Sequence, residues 1–583
     1  MKKLNKLYLI VAFMFIGYSC ELTDLDQLNN PNAVTVENAG LDLYWNQVQT
    51  SFAGWWYGNQ TPMLHLGRQL SGTWGQTYDN AYLPNSFNGS WSGVYSGLVP
   101  DIDAMIASGT EAESWIHVGA GKILKGYAIQ MLVDKHGDIP FSEAWQGTAN
   151  LSPKVDDAAS IYTAIEAMYT EAIADLNKTA IGAPAVDIFY GGDKAKWITL
   201  ANTLKFRLAL NKGDASGVAA ALGAGVIDEK SEDWVFQYGS NRQNPDSRHP
   251  WYGGAYEANA GPYQSNYFMW ELQEEKGFPD PRLRYYYKRQ DLDMSDEDLF
   301  TLDCVVADTR PAWYDNPYTN AYGDVVTWPF CGGSSFTHTD ALAAKGYWGR
   351  DHMNNDGTPP DGQKRTHRGA YPAAGEYDDG DASTGIDGAV AQGIKTVMHT
   401  QNGGVDGGGG DGHAPFLMAA NVYFMRAEAA LDGFSSENAA DMLKTAVETS
   451  IASVMSYSAG WGPVGDVNGD GVGAVPVALQ TERYVNFVMD NFNAAADNEA
   501  KMAIIVKEHR LASFSNGIEV YNAMRRTGHP QDMQGPMKTA DAGTFPRLFP
   551  YPADFSNLNA NAPVRTDLGE TVFWDRAGSG TLN

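Results

Sequence analysis

"GKILKGYAIQMLVDKHGDIP", residues 121–140, decides the fold class. Ile123, Leu124, Tyr127, Ala128, Met131 and Leu132 recur at intervals of three and four, the spacing that lines one side of an α-helix. Gly137 ends the run, because glycine readily takes the left-handed conformation that closes helices. Asp138 then leads into Ile139-Pro140, where proline biases the residue before it towards extended backbone. The stretch predicts a helix, a turn and an extended exit.

The same periodicity returns along the chain. "IYTAIEAMYTEAIADL" (161–176) carries it on Ile161, Ile165, Met168, Ala172 and Leu176, and "KWITLANTLKFRLAL" (196–210) on Trp197, Ala201, Leu204 and Leu208. "FLMAANVYFMRAEAALDG" (416–433) places Leu417, Val422, Phe424, Ala427 and Leu431 on one stripe before Gly433. Alanines within the stripes let helices approach closely, as in tetratricopeptide-like pairs, but no fixed period of about 34 residues can be laid on the chain. Helix pairs are expected, not a regular solenoid. Asp193, after the conformationally free Gly191 and Gly192, is placed to cap a helix starting at Lys194. Arg525 and Arg526 are expected to bond acids in the body of the protein.

Between about 231 and 412 the chain turns rich in Gly, Pro, Asn, Asp and aromatics, without sustained period. A structureless insert of that length is unusual in a compact domain, so short elements packed on the helices are expected. Long loops on a rigid base commonly carry binding residues. The fold class is mainly α: helix pairs form a scaffold, chiefly over 33–230 and 413–530, and the loop-rich insert supplies a ligand face. One domain is expected over 33–583.

The first residues carry a different signal. Lys2, Lys3 and Lys6 precede an uncharged apolar run from Leu7 to Ile16, then Gly17, Ser19 and Cys20. This is the order of a secretory signal, over 1–19, and its apolar core is far short of the about 20 residues that span a bilayer. The stretch resembles a bacterial lipoprotein signal, in which Cys20 becomes the acylated N-terminus, although Gly17 departs from the usual aliphatic residue. An ordinary signal with an incidental cysteine is the other reading. Glu21, Asp24, Asp26, Asn29, Asn30 and Pro31 suit a polar tether over 20–32, and acids after the cysteine resemble export tags of surface lipoproteins in Bacteroidetes. Outer-membrane attachment, facing the exterior, is the localisation this implies.

The formal charge is -29, and losing the three signal lysines takes it to -29 - 3 = -32. Such a surface repels nucleic acid and polyanionic glycans, leaving neutral or cationic partners; acidity serving solubility alone is the alternative. Cys304 and Cys331 are the other cysteines, and in an oxidising compartment they are expected to pair; two free buried thiols are the other reading. "DVNGDG" (466–471) offers Asp466, Asn468 and Asp470 at calcium-loop spacing, but Val477 stands where the bidentate glutamate belongs. Ca2+ or an ordinary Asp/Gly turn both fit. No other cofactor is implied: the histidines show no zinc spacing, and "GGVDGGGGDG" (403–412) lacks the GK[ST] of a phosphate loop.

"LVDKHGDIPFSEAWQG", "DIFYGGDKAKWITLANTLKFRLAL", "DPRLRYYY", "RGAYPAAGEYDD", "FMRAEAALDG", "EVYNAMRRTGHP" and "RLFPYPADFSNLNANAP" resemble, in order, the landmarks of SusD/RagB-type nutrient-binding outer-membrane lipoproteins, of the second SusD-like group. The resemblance implies a tetratricopeptide-like framework, a loop-rich ligand face, and a partner SusC-like TonB-dependent transporter that receives captured oligosaccharide. It implies binding without hydrolysis. A surface glycoside hydrolase would need two carboxylates about 5–9.5 Å apart across the sugar, and no nucleophile motif marks such a pair. A helical-repeat adaptor for proteins alone is the remaining alternative.

Neutral sugars offer C–H faces and hydroxyls, which suit aromatic platforms flanked by amides and acids. "SGTWGQTYDNAY" (71–82) presents Trp74, Gln76, Tyr78 and Asn80, close to where members of the resembled family carry binding aromatics. Between Cys304 and Cys331 lie Trp313, Tyr314, Tyr318, Tyr322 and Trp328, which a disulfide would preorganise. "WYGGAY" (251–256) is a third, weaker candidate. For each aromatic, loop packing is the alternative to ligand contact.

Overall fold

The structure is a computed structural model describing residues 40–72, 77–180, 184, 186–257, 263–288, 316–326, 347, 349–354, 366–378, 407–458, 477–537, 542–578 and 582. The expected signal, Cys20, the Cys304–Cys331 pair and the Asp466, Asn468, Asp470 loop lie outside these residues.

Helices dominate, in two arrays. The first comprises α1 (Leu41–Gly58), α2 (Val99–Glu111), α3 (Trp115–His136), α4 (Ala158–Leu176), α5 (Lys194–Lys212) and α6 (Ala215–Ala224), with α1 against α2 and each later helix against its predecessor. After α7 (Asn266–Gln273), the second comprises α8 (Ala419–Leu431), α9 (Ala439–Tyr457), α10 (Val477–Ala494), α11 (Asn498–Ala512) and α12 (Gly517–Thr527). Here α9 packs on α8 and α10, and α11 on α8, α10 and α12; α8 also meets α5, which joins the arrays.

Local chemistry sets the boundaries. Asp193 accepts from the amides of Ala195 and Lys196, as its position predicts, and Asp157, Asp214 and Asp497 cap α4, α6 and α11 in the same way. Gly137 closes α3 at φ +74°. Ile139–Pro140 (β1) then runs antiparallel to Val155–Asp156 (β2), the predicted extended exit.

Three readings change. The stripe on α3 is present, but the opposite side is buried too: Gln130, Asp134, Lys135 and His136 are all covered. Its neighbours close over it; Asn522 Nδ2 donates to Asp134 Oδ2 at 2.8 Å and the Phe549 amide to the Lys135 carbonyl at 2.8 Å. Leu417 does not belong to the helical stripe. It ends a strand, His413–Leu417, and the helix starts only at Ala419, whose amide donates to Asp233 at 2.7 Å. On α4 the buried place goes to Tyr169, while Met168 is half-buried.

The insert has short elements of its own. Trp234–Gln237 (β3), Tyr287–Lys288 (β4), Tyr318–Thr319 (β5), Val325–Val326 (β6), His367–Arg368 (β7) and His413–Leu417 (β8) pair antiparallel as β3–β8, β4–β7 and β5–β6. The end of the glycine run before β8 is closely packed: a Cβ on Gly412 would lie 2.2 Å from the Pro372 carbonyl oxygen.

Candidate functional site

The two main aromatic segments lie far apart in sequence, yet Arg68 just ahead of the first and Ala321 within the second both bond to one stretch, 532–537. The first segment is entered through Arg68, held at φ +58° and buried, whose Nε donates to the Gln534 carbonyl at 2.8 Å. Ser71 donates to the Tyr263 carbonyl at 3.1 Å and accepts from the Met353 amide at 2.7 Å. On the far side the Tyr78 amide donates to the Ala542 carbonyl at 3.0 Å. Met353 belongs to a short run fixed to the same stretch, since the His352 amide donates to Gln534 Oε1 and the Met537 amide to the His352 carbonyl, both at 3.0 Å.

The second segment is represented by the β5–β6 hairpin. Asn320 Oδ1 accepts from the amides of Tyr322 (3.1 Å) and Asp324 (2.9 Å), and Gly323 at φ +90° completes the turn. The Ala321 amide donates to Asp532 Oδ2 at 2.9 Å, and the Tyr322 hydroxyl to Glu508 Oε1 at 2.5 Å. Positions 532 and 534 are at most about 7 Å apart even fully extended. Hairpin and first segment therefore hang from adjacent pegs.

A buried ionic centre holds those pegs. Lys507 Nζ lies 2.7 Å from Asp532 Oδ2, 2.5 Å from Glu275 Oε1 and 3.5 Å from Glu271 Oε1, and Arg510 pairs with Glu271. Burial opposes ionisation of Asp532, but Lys507, Arg510 and the Ala321 amide together outweigh it and keep the carboxyl below its ordinary range. Burial pushes Asp351, beside His352, up to about 6 despite hydrogen bonds from Asn266 and Gln534.

The candidate residues fare differently. Trp74, Gln76, Trp313, Tyr314 and Trp328 lie outside the described residues. Asn80 is exposed on the short Tyr78–Ala81 helix. Tyr78 corrects the expectation: its side chain is 1 % exposed, ringed by Tyr82, His352 and Phe545, so it is a core support with no free face for a sugar. Tyr322 is likewise buried, while Tyr318 is half-buried. In "WYGGAY", Tyr252 and Tyr256 are buried and stacked on each other, and of its aromatics Trp251 alone keeps part of its surface open.

Trp251 heads a cluster that periodicity does not reveal. The Arg368 guanidinium carbon sits 3.5 Å from its ring centroid, and Tyr57 at the end of α1 and His249 flank it at 6.1 and 5.8 Å. Burial lowers Arg368 to about 10, which leaves it charged at neutral pH. The available signal for this cluster is the aromatic run Trp55-Trp56-Tyr57 between Gly54 and Gly58. Among the described residues no group of three or more His, Cys, Asp or Glu is placed to hold a metal ion, and no helix is long and apolar enough to cross a membrane.

Comparison with known proteins places this architecture. No curated protein matches the sequence. Two family models do: "Starch-binding associating with outer membrane" over residues 36–301, and "Susd and RagB outer membrane lipoprotein" over residues 393–562. Among solved structures, a chitin-binding protein superposes with a TM-score of 0.60 at 19% identity, covering 92% of this chain and 100% of its own. A chitin-binding SusD homologue from Flavobacterium johnsoniae gives 0.59 at 16%, covering 92% and 99%. A SusD/RagB family protein from Bacteroides thetaiotaomicron gives 0.61 at 18%, covering 93% and 100%. At these identities the likeness to the solved structures is one of fold. With both family models matching in chain order and the same fold along nearly its whole length, the chain belongs to the SusD/RagB family.

Proposed function

We propose that the protein is a cell-surface glycan-binding lipoprotein, anchored through acylated Cys20, that captures neutral oligo- or polysaccharide without cutting it and delivers it to a SusC-like TonB-dependent transporter. Residues 33–583 act in this reading as one unit. The observation that carries it is the convergence of Arg68, just ahead of the first aromatic segment, and Ala321, within the second, on 532–537, above the ionic centre of Lys507. A rigid base of this kind lowers the ordering cost of weak stacking contacts. The chitin-binding relatives of the same fold support a carbohydrate ligand, and the charge of -29 favours neutral over polyanionic chains.

Retention on immobilised neutral polysaccharides tests the reading, with the oligosaccharide recovered and chromatographed. The expected result is intact sugar, retained with micromolar to millimolar affinity, and a loss of about tenfold on Trp74→Ala or Trp328→Ala without loss of fold. Shortened sugar would establish an enzyme. Transporter association with no glycan retention would establish a protein adaptor.

A further inference from the structure

A cavity of about 330 Å³ opens where the end of α1 faces the turn at 84–90, with the end of α3 as its floor. Trp55, Phe87 and Pro62 supply apolar walls, Ser86 lies at the exposed mouth, and Asn59 and Lys135 lie below. The size is that of a site for a single ring-sized group. Lys135 is 1 % exposed, and Nζ donates to Asn59 Oδ1 at 2.7 Å and lies 5.4 Å from the Phe87 ring centroid. Asn59 Nδ2 is already committed to the Trp55 carbonyl at 2.7 Å. No carboxylate pairs with Lys135 among the described residues.

An ammonium has three donors, and a neutral amide oxygen takes one while supplying no charge. The remaining groups around it do not compensate. On its own helix Asp134 is engaged by Tyr162 and Asn522, and His136 is held neutral by burial. α1 presents Trp55 and Asn59; the turn presents Phe87, with Tyr82 nearby; the C-terminal segment presents Tyr551 and Arg565, itself a cation.

We propose that this cavity binds the carboxylate of a sugar acid, with Lys135 as its counter-ion and the ring held between Trp55 and Phe87. The lining shares no residue with those proposed to bind neutral glycan, and the proposal does not depend on them. The long-range repulsion of an acidic protein falls off within about 8 Å at physiological ionic strength, whereas a desolvated ammonium acts at contact. Burial lowers Lys135 to about 7, so carboxylate binding must take up a proton near neutrality. Affinity should fall about tenfold from pH 6 to pH 8.

Isothermal titration of the full mature chain with D-glucuronate and D-galacturonate, against D-glucose, tests this. Expected are binding of at least one uronate in preference to glucose, the stated pH dependence, and a heat that varies with the ionisation enthalpy of the buffer. Asn59→Asp places a carboxylate on Lys135 and should abolish uronate binding by tenfold or more while the chain stays folded by circular dichroism. Equal binding of glucose, no binding of either uronate, pH-independent affinity or unchanged binding by Asn59→Asp would each overturn the proposal. Because the neutral-polysaccharide assay reads Trp74 and Trp328, the two readings fail separately.

Discussion

Lys507 and Lys135 are both buried, and burial has opposite consequences for them. Around Lys507, Glu271, Glu275 and Asp532 converge, so the amine is held protonated against its desolvation and the cluster pins the stretch from which the aromatic segments hang. Around Lys135 the nearest partner is an amide oxygen, and burial alone sets its protonation, lowering it to about 7. The acids repeat the contrast: Asp532 is kept ionised chiefly by Lys507, whereas Asp351 is raised to about 6. Burial raises the stakes of a charge without deciding its sign; the partner decides.

The same substitution at both lysines breaks the comparison most directly. Lys507→Met leaves Glu275 and Asp532 buried without the cation they contact, while Glu271 keeps Arg510, and should cost about 3–5 kcal/mol by chemical denaturation, loosening the β5–β6 hairpin as well. The next effect is a pH slope. Asp351 binds more protons folded than unfolded between about pH 4 and 6, so its contribution is present at low pH and lost as pH rises through about 6. Asp351→Asn should remove up to about 3 kcal/mol of that slope, read as the difference between variant and parent stability at the two ends of the window. An unchanged slope would mean that the carboxyl is ionised throughout.

The smallest effect has the opposite sign. With a folded value of about 7, Lys135 binds fewer protons folded than unfolded up to the ordinary lysine range, so its term is present above that range and lost as pH falls to about 7. Lys135→Met removes the cost along with one hydrogen bond to Asn59, and should raise stability at pH 7 by about 1–3 kcal/mol. Destabilisation as large as that of Lys507→Met would erase the contrast between the sites.

The helical landmarks were legible because they are local. The stripe at 123–132, the stop at Gly137 and the cap at Asp193 each follow from side chains within one or two turns. Leu417 was misplaced for the same reason: its spacing fits a helix, but pairing with β3 and the Asp233 cap, nearly two hundred residues away, make it strand. Arg526 found its acid in Glu428, whereas Arg525 donates instead to the Arg547 carbonyl and Asn522. Of the candidate site, composition marked Trp251 but could not mark Arg368 behind it, nor show that Tyr78 faces inward.

The sequence by itself determined the helix pairs, their caps and stops, the loop-rich insert and the family, because periodicity, capping chemistry and ordered motifs are properties of short stretches. Only the tertiary structure decided which charges have partners. Lys507 meets Glu275 across more than two hundred residues, and Lys135 meets Asn59 across the fold, so neither protonation state nor the cavity could be read from neighbours along the chain.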